Sequence, residues 1–244
     1  MKKIIALVLL TLTLVFTSAC SCKKEETLTR EQYSKAYESL AEILMKKEEI
    51  TLLGYVDSSE SSDRGYLTLG VYAVFLEEVV KNENFTAING GVGTITSTAR
   101  FYAINEIQEL EMNATVKIEY EDGKIRTDFL EVSASGDEMH LIIDIVYDFE
   151  NSKLTSFDLM VKYEVLDEDL FNHYKGNEES IQVLEEDEDE ERIAAINFIT
   201  SRRNSLNEHL DSAKDIGDYS TEYSTAMIEH MNFIYGEGFA TPVE

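Results

Sequence analysis

The chain reads as an α+β protein: an antiparallel β-meander sheet of about four to five strands, with helices from both termini packed on one face. Three observations point there. Residues 110–121, 139–149 and 157–165 alternate apolar and polar side chains with a period of two, the mark of strands with one wet face. Asp122-Gly123 follows the first of these runs as a two-residue hairpin turn, where glycine takes the positive φ of a type I′ turn. On both sides of this middle region, apolar residues recur every three or four positions, as amphipathic helices require.

Taken in order, Thr29 opens the first helix, with Gln32 three residues on as a capping box. Tyr33, Tyr37, Leu40 and Leu44 run down one side, and the helix is expected over about 29–50. The run of Asp and Ser at 57–63 is a solvated loop. Residues 66–82 are apolar nearly all round and read as a buried helix too short to span a bilayer. The segment 95–109 suits strand or helix, with strand preferred. The Asp122-Gly123 turn sets Glu121 opposite Lys124, Tyr120 opposite Ile125 and Val116 opposite Phe129. Beyond Phe129 the apolar phase shifts to Leu130 and Val132, which predicts a bulge. Asn151-Ser152-Lys153 closes the next hairpin. A three-residue loop would pair Tyr147 with Phe157 and Ile145 with Leu159, keeping both apolar rows on one face. Near the end of the chain, helices are expected over about 190–214 and 221–235, separated by Gly217 and stopped by Gly236. The first shows a narrow seam of Ile196, Ile199, Arg203, Leu206, Leu210 and Ala213.

The first 22 residues carry a different kind of message. Lys2 and Lys3 precede an apolar run from Ile4 to Phe16, followed by Thr17, Ser18, Ala19 and then Cys20. That order is an export signal. The small residues before the cysteine resemble the lipobox of bacterial lipoproteins, with Thr17 where leucine is commoner. The resemblance implies cleavage before Cys20 and a diacylglyceryl group on its thiol, and two acyl chains anchor stably where one does not. The expected organisation is a signal peptide at 1–19, a lipidated tether at 20–28 and a single α+β domain at 29–244. The expected place is extracytoplasmic, on a bacterial membrane to which the lipid on Cys20 attaches the chain.

Charge narrows the partners. Residues 1–19 hold two of the 21 basic residues and none of the 48 acidic ones, so cleavage takes the formal charge from −27 to −29. So acidic a chain does not suit nucleic acid, nor a protein lying flat on anionic lipid. The only cysteines are Cys20 and Cys22, so the body has no disulfide and no thiolate metal site.

No motif specifies catalysis. Gly90-Gly91-Val92-Gly93-Thr94 resembles a phosphate cradle, but Ile95-Thr96 stands where a P-loop needs Lys-Ser/Thr, and a plain connection is the better reading. Met227, His230 and Met231 share a helical side and offer soft ligands to copper; the same spacing makes an ordinary core stripe. The acidic run 185–191 lacks the spaced oxygens of a calcium loop. Asp144, Asp148 and His140 fall on one strand face as a carboxylate–imidazole cluster. No metal or cofactor is expected. The sequence therefore favours a non-enzymatic binding or interaction protein, with an unidentified protein or apolar ligand as partner. The alternative is an envelope hydrolase or metal-dependent enzyme using Asp144, Asp148 and His140.

Overall fold

A computed structural model describes residues 27–45, 61–133, 136–165, 168–184 and 190–243. The expected export signal, Cys20, most of the expected tether, residues 46–60 and the acidic stretch 185–189 lie outside the described residues.

The α+β class holds, but the sheet is larger than a four-to-five-strand meander: nine strands form one mixed sheet. Seven strands follow one another antiparallel in chain order. They are β1 (Val92–Ala103), β2 (Glu106–Glu121), β3 (Lys124–Ser133), β4 (Glu138–Asp148), β5 (Lys153–Val165), β6 (Glu168–Gly176) and β7 (Ile181–Val183). Beyond β1 lies β8 (Lys214–Asp218), which is parallel to it, and β9 (Ala240–Pro242) pairs antiparallel with the far half of β1. Four helices complete the described fold: α1 (Arg30–Met45), α2 (Ser61–Lys81), α3 (Glu190–Glu208) and α4 (Ser220–Tyr235).

The capping box forms as expected. The Thr29 amide donates to Gln32 Oε1 at 2.9 Å, and the Gln32 amide donates to Thr29 Oγ1 at 3.3 Å. Tyr33, Tyr37, Leu40 and Leu44 are then fully buried. The ambiguous segment 95–109 is strand: β1 and β2 form a long hairpin whose turn residues, Ile104 and Asn105, both take positive φ.

The β2–β3 register is as expected, with Val116 opposite Phe129, but no bulge follows. Pairing runs unbroken to Met112–Ser133, and Leu130 and Val132 simply face the other side of the sheet. In the next hairpin the turn is longer than expected. Ile145 pairs with Phe157, Ile143 with Leu159 and Tyr147 with Leu154, with a register shift at Val146/Tyr147. The shift keeps the two apolar rows on one face despite the extra residue.

The helices do not all lie on one face. α1, α2 and α4 cover the apolar face, where Phe129, Leu141, Ile143, Leu159 and Val116 join Tyr37, Leu40, Phe75 and Leu76 in one core. α3 lies on the opposite face. Its Ile199 packs on Ile142 and Phe171, and its Leu206 packs on Val92 and Leu130. The residues that looked like a phase error in β3 are the apolar seats for this helix. The helix also stops at Glu208 rather than 214, because Leu210–Ser212 turns as a 3-10 segment and Lys214 starts β8.

One acid enters the apolar face. Glu131 accepts a hydrogen bond from the Tyr72 hydroxyl, and burial pushes its carboxyl above the ordinary value. Tyr163 and Tyr223 also face this charge. Their hydroxyls are pushed up, first by burial and then by the Glu131 charge.

The outer edge of β1 is closed by three pieces of the C-terminal region. β8 pairs with residues 93–96 and β9 with residues 101–103. Between them the Thr98 and Arg100 amides donate to Ser220 Oγ at 2.9 Å and Ser224 Oγ at 3.0 Å. Two helix hydroxyls thus stand in for a strand backbone.

Candidate functional site

The side chains singled out by sequence are not assembled into one site. His140 and Asp144 share a strand face, but four residues of strand separate them by about 13 Å. Asp144 is occupied: Arg126 grips it with Nε and Nη2 at 2.7 Å each, and Lys124 Nζ approaches to 3.1 Å. Burial works to raise its carboxyl, yet the Arg126 and Lys124 contacts outweigh this and hold it below the ordinary value. The Phe198 ring of α3 covers Arg126 at 5.3 Å. Asp148 is partly exposed and accepts from Asn151 and Glu150, closing the β4–β5 turn.

His140 lies under α3 with 3% exposure, its ring against the backbone of Ile199. The niche beside it, between Glu138, Lys162 and Arg203, measures about 10 Å³, roughly the space of one water. Burial is the main cause that pulls its imidazole down to about 4, and the charges of Arg203, Arg202 and Lys162 add to it. Such a group stays neutral in the folded state while the unfolded chain takes up its proton near 6.5. Stability is therefore lost as pH falls from about 6.5 towards 4. Replacing His140 with leucine is expected to flatten that part of the pH–stability profile by up to about 3 kcal/mol, as read by urea unfolding at pH 7 and pH 4.5.

The other marked residues are structural as well. His173 bonds Asp158 at 2.6 Å across β5–β6. Met227 and Met231 pack against the main core. Among the described residues no group of three His, Cys, Asp or Glu side chains is placed to hold a metal ion.

What the fold does assemble is a cleft of about 310 Å³ on the α3 side of the sheet, near the start of β1. Loop 87–92 forms one wall, the last turns of α3 and the 3-10 segment after it form another, and Lys117 and Asp128 form the floor. The glycine run thus contributes to a site, although not as a phosphate cradle. The Gly90 and Gly91 amides already donate to the carbonyls of Ile118 and Ile88. Gly93 is glycine for packing: a Cβ there would sit 3.0 Å from Ile88 Cδ1 and 3.2 Å from Ile216 Cγ2.

Arg202 is the fixed point of the cleft. Its Nε reaches Asp128 Oδ1 at 2.8 Å, and its Nη2 reaches Glu119 Oε1 at 2.8 Å and Asp128 Oδ2. Lys117 Nζ holds the other oxygen of Glu119 at 2.6 Å. Burial works to raise the Glu119 carboxyl, and the hydrogen bonds from Lys117 and Arg202 overcome it and pull it below its ordinary value. Lys214 Nζ donates to the Ala87 carbonyl at 2.8 Å. His209 Nδ1 lies 2.7 Å from the Ser205 carbonyl. The arrangement is a set of cations whose positions are fixed by neighbours before any ligand arrives. Sequence reasoning missed it, because Lys117, Arg202 and Lys214 come from three separate elements. No protein-family model matches this chain, and neither does any curated protein or solved structure.

Proposed function

We propose that this chain is a lipid-anchored, extracytoplasmic binding protein of a bacterial envelope. The observation that carries the reading is the order Lys2-Lys3, apolar run, small residues and Cys20, set ahead of a cysteine-free body. The first helix of that body begins at Arg30, ten residues after Cys20. Ten residues reach at most about 36 Å, so the anchor keeps the body beside the bilayer. The body supplies a cleft of small-ligand size, where Lys117, Asp128 and Arg202 stand beside Ile88, Val92 and Leu206, rather than an open apolar bowl. The apolar face of the sheet is filled by its own helices, with Tyr37, Leu40 and Phe129 at 0% exposure. Binding at the cleft is therefore preferred to carriage of a lipid on the sheet.

The anchor is tested by replacing Cys20 with serine and separating membrane from soluble material. The native protein should sediment with membranes and carry a diacylglyceryl mass on its first residue, and the variant should lose both properties. Native protein that is unacylated at Cys20, or free in the medium, overturns the reading.

A further inference from the structure

We propose that the cleft beside Arg202 binds a phosphate group. The inference deepens the binding reading above and rests on it only for the source of the ligand. Its basis is the hydrogen-bond inventory of the cleft. Arg202 uses Nε and Nη2 on Asp128 and Glu119, which leaves Nη1 with no partner among the described residues. That nitrogen is not among the buried orphan atoms, so it is open to solvent in a side chain that lines the cleft. Lys117 and Lys214 each have hydrogens to spare after one protein contact. The Asn89 side chain accepts from the Tyr33 hydroxyl at 3.5 Å through Oδ1, which leaves its amide hydrogens to face other partners.

The acceptors are in the opposite condition. Asp128 and Glu119 are both engaged by Arg202. Among the charged side chains of the cleft the carboxylates are taken and the cations have hydrogens to spare, so a ligand that satisfies them must bring acceptors. Donors on β2, α3 and β8 approach from three sides, which suits oxygens that point in several directions, as those of phosphate do.

Charge agrees, by a narrow margin. Lys117, Arg202 and Lys214 carry three positive charges against two on Asp128 and Glu119. The C-terminal end of α3 adds roughly half a negative charge. The site is mildly cationic in a chain whose formal charge is −27. A guanidinium whose Nε and Nη2 are locked by carboxylates, with Nη1 left open, is already positioned for an anion and loses little freedom on binding.

The position of the cleft suggests a source. Asn89 touches the first turn of α1 through Tyr33, so the cleft lies where the chain enters the fold. A headgroup phosphate and a free phosphate share the needed chemistry, and the experiment separates them.

In the first arm, the purified full chain is titrated with inorganic phosphate by calorimetry, beside Lys117→Gln/Lys214→Gln. In the second, Cys20→Ser with and without the double change is sedimented with phosphatidylglycerol vesicles and with phosphate-free glycolipid vesicles. Phosphate binding weakened at least tenfold by the double change, in a variant that still unfolds cooperatively, supports the site and assigns it to free phosphate. Vesicle binding that needs both the lipid phosphate and the two lysines supports it and assigns the headgroup. Absence of both, or binding indifferent to the two lysines, overturns it. Neither arm requires an acylated Cys20, so failure of the anchor and failure of the cleft give different results.

Discussion

Replacing Arg202 with alanine is expected to remove about 3–5 kcal/mol of folding stability, because it strands a buried carboxylate. The Asp128 side chain is 1% exposed and takes two hydrogen bonds from the Arg202 fork. Without that fork it keeps its desolvation cost and loses its compensation. A domain of this size is held by about 5–15 kcal/mol in total, so the loss is a large share. Adding Asp128→Asn to Arg202→Ala removes the stranded charge, and most of the loss should return. Urea unfolding of the two single variants and the double at pH 7 measures the coupling. Arg202→Lys should restore little, since an ammonium cannot reproduce the planar fork. A loss below about 1 kcal/mol in Arg202→Ala would show that Asp128 is not dependent on this partner.

The next residue along β3 tests the opposite layer. Phe129→Ala is expected to cost about 3–5 kcal/mol through the cavity it leaves. Its ring is fully buried, 5.5 Å from Tyr72 and 6.2 Å from Phe75, between the sheet and α2. Each such aromatic pair adds roughly 0.5–1.5 kcal/mol beyond the area buried. Tyr102→Ala serves as the control: that side chain is 44% exposed near the β1–β2 turn, and its loss should stay within about 0.5 kcal/mol. Equal midpoints for Phe129→Ala and Tyr102→Ala would contradict the packing described.

These two neighbours also show what the sequence could reveal. Strands with bulky alternation, such as 110–121 and 139–148, were legible because most of their inward residues are large and most of their outward ones polar or charged, Ile142 and Val146 aside. β1 was not, because its inward residues include Gly93, Ser97, Ala99 and Ala103, small side chains that let α4 and the edge segments approach. β8 carries a single buried apolar residue, Ile216, which no periodicity measure can detect. The second face stayed hidden for a related reason. α3 buries only Ile199 and Leu206 fully, so its seam was visible but not the surface it meets. The cleft was illegible in principle: its cations are 85 and 12 residues apart along the chain, and only the crossing of β2, α3 and β8 unites them.

The seal on the β1 margin has a bearing on biogenesis. Everything that closes this margin, from Lys214 through Ser220 and Ser224 to Ala240–Pro242, is synthesised after the seven-strand meander is complete. A nascent polypeptide therefore carries an open pairing template until its final thirty or so residues emerge, a species prone to strand-to-strand self-association. The last segment acts as a latch whose arrival ends that exposure, and a polypeptide shortened before Lys214 would leave the template uncovered for good.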